Sequence, residues 1–402
     1  VNTRTRILPR LPGWLWLVAA MTAIGPVSID MYLPGFPLIE QEFGTGGVER
    51  TMAVYLFGIA ISPLIYGPLS DRFGRKPPLY FSFTLYTAGS VGCMLAGSME
   101  QLLLMRIVQA LGAGAGFAIG RAIVRDRCEP HETARVFSLL MLIFSLGPIL
   151  APGVGGLIIG WWGWRSAFVF QVVMGLSVLL LMHRALDESR NPAHVVQLSI
   201  RGVAGSYWRL LGDRSFVGYA LIGGFGMGTT FSYVTGASNV ISSSYGLSPQ
   251  SLGLLLGLNG FAFMLASRLN TLALRRMGPA EILDRASIGP VLCAALLVAA
   301  TAFVQPPLWA FVALQLALFV AVGRVNPNSG ALALAHHGRE AGTASALLGS
   351  IQSMMGTLAG LNVATFTNGT VGRLAVLMAI PASLSWLSYR WVRSRVSRDG
   401  GE

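Results

Sequence analysis

Apolar runs long enough to cross a bilayer recur along the whole chain, separated by short polar or glycine/proline-marked breaks. They place candidate spans near 13–35, 51–70, 78–97, 101–124, 135–160, 166–186, 215–240, 250–273, 284–304, 308–330, 341–365 and 370–391. Each approaches the about 20 residues that a helix needs to traverse the hydrocarbon core. The pattern predicts an all-α integral membrane protein of twelve spans. One long polar stretch, residues 187–213, leaves six spans on either side. It predicts an N-terminal half over 1–186, a central loop over 187–213 and a C-terminal half over 214–402. Within the loop, SIRGVAGSYWRLLGD has the spacing of an amphipathic helix that lies along the interface. The opening RTRILPR followed by WLWLVAAMTAIG has the outline of a signal peptide, but the apolar run continues to about residue 35, too long for an h-region, and predicts a retained first helix.

Composition agrees with that division and narrows the chemistry. Of 402 residues, 53% are hydrophobic and 11% charged, against roughly 25% charged in an ordinary soluble domain. Lys76 is the only lysine and sits in RKP, so there is no Walker A loop and no lysine for ATP-driven transport or Schiff-base chemistry. Cys93, Cys128 and Cys293 are isolated, and His131, His183, His194, His336 and His337 show no metal-ligand spacing. The sequence therefore predicts no metal and no cofactor. No nucleophile and base recur at helical spacing, so an integral membrane enzyme is the weaker reading. Rings of pore charge, the mark of a channel, are absent as well.

The net charge of +12 gains meaning once its position is known. With both termini cytoplasmic, 22 of the 29 basic residues fall in inside loops and tails, among them Arg4, Arg6, Arg72, Arg75, Lys76, Arg125, Arg127, Arg275, Arg276, Arg393 and Arg395. The outside loops hold Arg50, Arg165 and Arg373, and four arginines, Arg106, Arg121, Arg268 and Arg324, lie within spans. This is the positive-inside pattern and predicts the orientation. A nucleic-acid interface would need a soluble face to carry it, and none is predicted.

Asp30 is the only carboxylate well inside a predicted span. An ionised Asp at a helix centre costs about 2.5 to 3.5 kcal/mol on insertion scales, so it must be protonated part of the time, paired, or wetted. Arg106 is predicted at similar depth, each about five residues from the outer end of its helix, with Gln109 on the Arg106 face. Two readings follow: a fixed ion pair between the first and fourth spans, or a site of proton or substrate coupling. Mid-span aromatic and polar residues supply candidate cavity lining: Tyr55, Gln109, Phe117, Phe144, Phe231, Tyr233, Asn259, Phe263, Asn326 and Gln352. Gly112, Gly116 and Gly120 form a small-residue face for close helix packing.

GPLSDRFGRKPP (67–78) resembles the signature loop of the major facilitator superfamily, with Gly67, Asp71, Arg72, Gly74, Arg75 and Lys76 in matching places. RIVQALGAGAG (106–116) resembles that family's helix 4 motif. LGPILAPGVGG (146–156) resembles the antiporter motif of helix 5, carried here by Gly147, Pro148, Pro152, Gly155 and Gly156, with Ala151 where glycine is usual. DMYLPGFP, RAIVRD, YGLSPQSLGLLLGLN and GTASALLGSIQSMMG together are similar to the bicyclomycin and chloramphenicol resistance exporters, the Bcr/CflA type. The resemblance implies a major facilitator fold of two six-helix halves around a central cavity, rocking about a midplane site. It implies a monomeric drug:proton antiporter of the bacterial inner membrane, driven by the proton motive force, with Asp30 and Arg106 in proton coupling. The 67–78 loop would be a cytoplasmic latch, docking Asp71 at the start of helix 11 (Gly342, Thr343). An exporter of an endogenous metabolite or peptide with incidental drug transport is the alternative.

Overall fold

The computed structural model describes residues 13–128, 130–188, 200–303, 305–335, 337, 341–367 and 369–399. Every regular element among them is helical. The first half contains α1 (Gly13–Asp30), a 3-10 turn (Leu33–Gly35), α2 (Phe36–Phe43), α3 (Glu49–Phe73), α4 (Lys76–Met94), α5 (Met99–Ala113), α6 (Ala115–Arg127), α7 (Pro130–Trp162) and α8 (Arg165–Ala185). After α9 (Ile200–Gly212) come α10 (Arg214–Tyr245), α11 (Pro249–Leu274), α12 (Pro279–Ala286), α13 (Gly289–Thr301), α14 (Leu308–Leu334), α15 (Ala341–Phe366) and α16 (Val371–Asp399).

Eight stretches among the described residues are long and apolar enough to cross a membrane. The other four expected spans coincide with α4, α7, α10 and α15; α4, α10 and α15 carry more glycine, serine and threonine, and within α7 the stretch Leu146–Trp162 is a shorter apolar helix. Burial explains this for α10, where more than half of the residues are enclosed by protein, including Thr229, Thr230, Ser232, Thr235 and Ser238. A helix surrounded by other helices needs no lipid-facing apolar surface.

Three expected spans are interrupted. The first stops as a helix at Asp30, short of the expected residue 35, because Pro34 has no N–H to offer the Asp30 carbonyl; the chain then turns through Leu33–Gly35 into α2. Asp30 is thus the last residue of α1 and not five residues inside it. The fourth span breaks at Gly114, against Ser62, and the ninth between α12 and α13, before Pro290. The amphipathic α9 forms, with Leu210 buried against the second half and Trp208 and Leu211 exposed. Residues 189–199 of the predicted central loop lie outside the described residues.

Two helix pairs join the halves, α3 with α15 and α7 with α11. Glycine makes the second pair close. A Cβ on Gly156 would lie 2.5 Å from the Pro249 carbonyl oxygen, and one on Gly253 2.3 Å from that of Pro152. On its other side α7 meets α1, where a Cβ on Gly155 would lie 1.9 Å from the Met31 carbonyl oxygen and one on Gly147 2.5 Å from Pro26. α7 therefore wedges between α1 and α11, with Pro148 and Pro152 inside the helix. Gly112, Gly116 and Gly120 likewise pack on Ser82 and Tyr86, on Met21 and on Val18.

The two ends of the bundle differ. Arg72, Arg75, Lys76, Arg127, Arg275, Arg276 and Arg393 gather at one, the basic face. At the opposite face the 3-10 turn and α2 reach α10, and the turn also reaches α11. Along α3 and α15, Gly360 toward that face lies close to Ala53, whereas Gly67, Gly342 and Gly349 toward the basic face have open space at their Cβ positions.

Candidate functional site

Asp30 is buried at the broken end of α1. Among the described residues it forms no ion pair and no side-chain hydrogen bond. Arg106 comes close, but to the backbone two residues earlier: Nη1 and Nη2 donate to the Ser28 carbonyl oxygen at 3.3 and 3.2 Å. The fixed Asp30–Arg106 ion pair, one of the two readings of their equal depth, is therefore not formed.

The Arg106 guanidinium is fully buried and is held by π faces instead of a carboxylate. Its Cζ lies 4.2 Å from the Tyr32 ring centroid, 4.0 Å from that of Tyr55 and 5.9 Å from that of Phe168. Desolvated contacts of this kind are worth about 2 kcal/mol each. Nη1 also donates to Gln109 Oε1. Gln109 Nε2 in turn donates to Ser90 Oγ and to Gln171 Oε1, both at 2.7 Å. The result is a buried polar network across α1, α3, α4, α5 and α8 that keeps a cation inside the first half with no counter-ion among the described residues. Such a cation raises the electrostatic potential over its surroundings.

Several expected lining residues therefore have another role. Tyr55 and Gln109 are fully buried parts of the Arg106 cage and do not face an open cavity. Tyr233 is also fully buried, edge-on to Phe319, and Asn259 accepts from Gln315 Nε2 at 3.1 Å. Phe263 stacks on the same Phe319 ring. Phe117 remains partly exposed beneath the Arg121 guanidinium, 4.1 Å from the ring centroid. Phe231 lies against Gly356, while Asn326 and Gln352 converge on Gly226 and Gly223 of α10, where only glycine leaves room. The Phe144 side chain lies outside the described residues.

The 67–78 loop is built as a polar knot. Arg75 donates to Ser70 Oγ, to Asp71 Oδ1 at 2.5 Å and to Asp126 Oδ2 at 2.8 Å, tying the α3–α4 turn to the end of α6. Gly74 has φ +89°, and its missing side chain is replaced by the Glu188 carboxylate, which accepts from the Arg75 and Lys76 backbone N–H groups at the start of α4. Arg72 lies over the Phe73 ring. Gly342, at the expected acceptor, is exposed with nothing near its Cβ position. Sequence reasoning missed Glu188, because a lone acid at the start of a polar stretch carries no spacing signal. It also missed Ser28, Tyr32 and Gln171, whose polar atoms acquire meaning only next to Arg106.

Comparison with known proteins agrees with this architecture. The profile described as Major Facilitator Superfamily matches residues 17–360. The uncharacterized MFS-type transporter YdgK of Bacillus subtilis is 33% identical over 383 residues, covering 92% of this chain and 94% of that protein. The bicyclomycin resistance protein homolog of Haemophilus influenzae is 26% identical, covering 95% and 96%. Among solved structures, a bacterial homolog of the human lysosomal transporter Spinster, in an inward-facing and unoccupied conformation, shares the fold with a TM-score of 0.73 at 16% identity, covering 95% of this chain and 98% of that one. The fold, the packing of its helices and the match over most of its length make this chain a multi-pass membrane transporter and a member of the major facilitator superfamily.

Proposed function

We propose that the chain is a proton-coupled multidrug exporter that moves small hydrophobic antibiotics of the amphenicol, bicyclomycin or sulfonamide kind out of the cell. The observation that carries this reading is the isolation of Asp30: it is buried in the membrane with no cation bonded to it among the described residues, so a proton is the ligand that neutralises it. Arg106, bonded to the Ser28 carbonyl oxygen two residues before Asp30, places a fixed positive charge beside the same end of α1. Drug binding from the cytoplasm accompanies proton loss, and reloading from outside resets the carrier.

The proton motive force is sufficient for this. One proton moving inward yields about 2.3 kcal/mol per 100 mV and about 0.7 kcal/mol for half a pH unit, together a roughly hundredfold gradient for a neutral drug. In this reading the basic face is cytoplasmic, both termini lie there, and the halves 1–186 and 214–402 rock about the α3–α15 and α7–α11 seams of a monomer in the bacterial inner membrane. The close contacts at the opposite face and the open glycines at the basic face support an inward-facing state. The test is drug-dependent proton release by the purified protein over chloramphenicol, florfenicol, bicyclomycin and sulfonamides. Release with at least one drug is expected, and binding without release of protons contradicts the coupling.

A further inference from the structure

A second carboxylate is enclosed where the halves meet at the outer face. Glu49, the first residue of α3, is 4% exposed, and its Oε1 accepts from Asn239 Nδ2 at 2.7 Å, on α10 of the other half. Asn239 Oδ1 is buried beside it with no hydrogen-bond partner among the described residues. A carboxylate, which only accepts, cannot satisfy that oxygen, whereas a carboxylic acid donates through its second oxygen. A proton on Glu49 closes an acid–amide pair, Nδ2–H to Oε1 and Oε2–H to Oδ1, across the seam.

We propose that Glu49 is a second proton-binding site of the transporter, loaded from the outer solution as the outer face closes and emptied to the same side as it opens. This deepens the exporter reading and rests on it for the meaning of the two faces. The proton returns to the side it came from, so it sets the pH dependence of the outer gate and adds nothing to the number of protons carried. Few charges compete for the site. α15 has no charged residue, and α10 has none after Arg214. On α2, Glu40 accepts from the Gly47 and Val48 backbone and repels a second negative charge, while Glu42 is paired with Arg165. Arg50 follows Glu49 but is exposed, where water screens it. On α5, Glu100 is in the first turn and Arg106 is enclosed in its aromatic cage.

The test is double electron–electron resonance on the full chain in nanodiscs, without drug, with spin labels at Thr45 and Ser243, exposed positions on the two sides of the outer gate. The cysteines Cys93, Cys128 and Cys293 are replaced first. In an Asp30→Asn background the closed fraction is expected to rise about threefold or more between about pH 8.5 and about pH 5.5. Adding Glu49→Gln, which keeps the acceptor and amide geometry but fixes neutrality, is expected to remove that response and leave the gate closed throughout. Asn239→Asp sets a second carboxylate against the first, so closure is kept at the acid end and falls below the parent at the alkaline end. An unchanged pH response in the Glu49→Gln protein, or none in its parent, overturns the proposal. Because no drug is present, a failure here is distinct from a failure of drug-dependent proton release.

Discussion

Arg106 donates through both terminal nitrogens to the Ser28 carbonyl oxygen, while Asp30, two residues further along α1, bonds to neither. The cation is thereby fixed to the backbone of the helix that ends at Asp30. The aromatic faces of Tyr32 and Tyr55 complete the cage, so the arrangement depends on a planar, forked cation.

Arg106→Lys keeps the charge but loses the fork and the stacking. The expected result is a loss of stability of about 2 kcal/mol, read as a lower midpoint in thermal unfolding in detergent, with transport reduced about tenfold or more. A Lys variant as stable and as active as the parent shows that only the charge matters.

The α7 wedge gives a paired prediction. Gly155→Ala puts a methyl group into the Met31 carbonyl oxygen beside the Asp30 helix break, whereas Gly153→Ala meets open space. The first is expected to destabilise by about 1–3 kcal/mol and to stop transport; the second is expected to change stability by no more than about 0.5 kcal/mol. Equal effects in unfolding and transport assays contradict the wedge.

The latch loop depends on Gly74. Its φ of +89° with ψ 171° is a backbone region reserved almost wholly for glycine, and Glu188 fills its side-chain space. Gly74→Ala is expected to cost about 1–3 kcal/mol and to free the Glu188 carboxylate from the α4 N-terminus. Glu188→Gln keeps one acceptor oxygen but sets an amide NH2 against the other backbone N–H, and is expected to lower the transport rate less than Gly74→Ala does. Drug efflux in cells and unfolding of the purified variants measure both.

Orientation is testable through Cys128, at the basic-face end of α6. Burial, with Glu132 nearby, pushes its thiol above the ordinary range, so less thiolate is present near neutral pH and labelling accelerates as pH rises. A membrane-impermeant maleimide is expected to modify it in inverted vesicles and not in right-side-out ones. The reverse pattern contradicts a cytoplasmic basic face.

Much of the fold was legible because membrane helices are written in apolar runs and their ends in charge, so a helix lies under each expected span, with the first, fourth and ninth interrupted. The break at Asp30 was legible in principle from Pro34, four residues on, but the apolar character continues through the break and hides it. The packing role of Gly112, Gly116 and Gly120 followed from spacing alone. The cage was not legible: Tyr55 and Gln109 have the same mid-span polarity whether they face a cavity or a buried guanidinium, and only the tertiary contact decides. Glu49 reads from sequence as a loop acid outside the membrane, and its burial depends on Asn239, 190 residues later.

In the exporter reading Asp30 carries the coupled proton. Its most direct test compares the parent protein with Asp30→Asn, reconstituted in proteoliposomes, for drug movement driven by an imposed pH gradient. Asp30→Asn is expected to insert, fold and bind drug but to lose proton-driven accumulation and drug-dependent proton release. Full coupled activity in that variant contradicts the account.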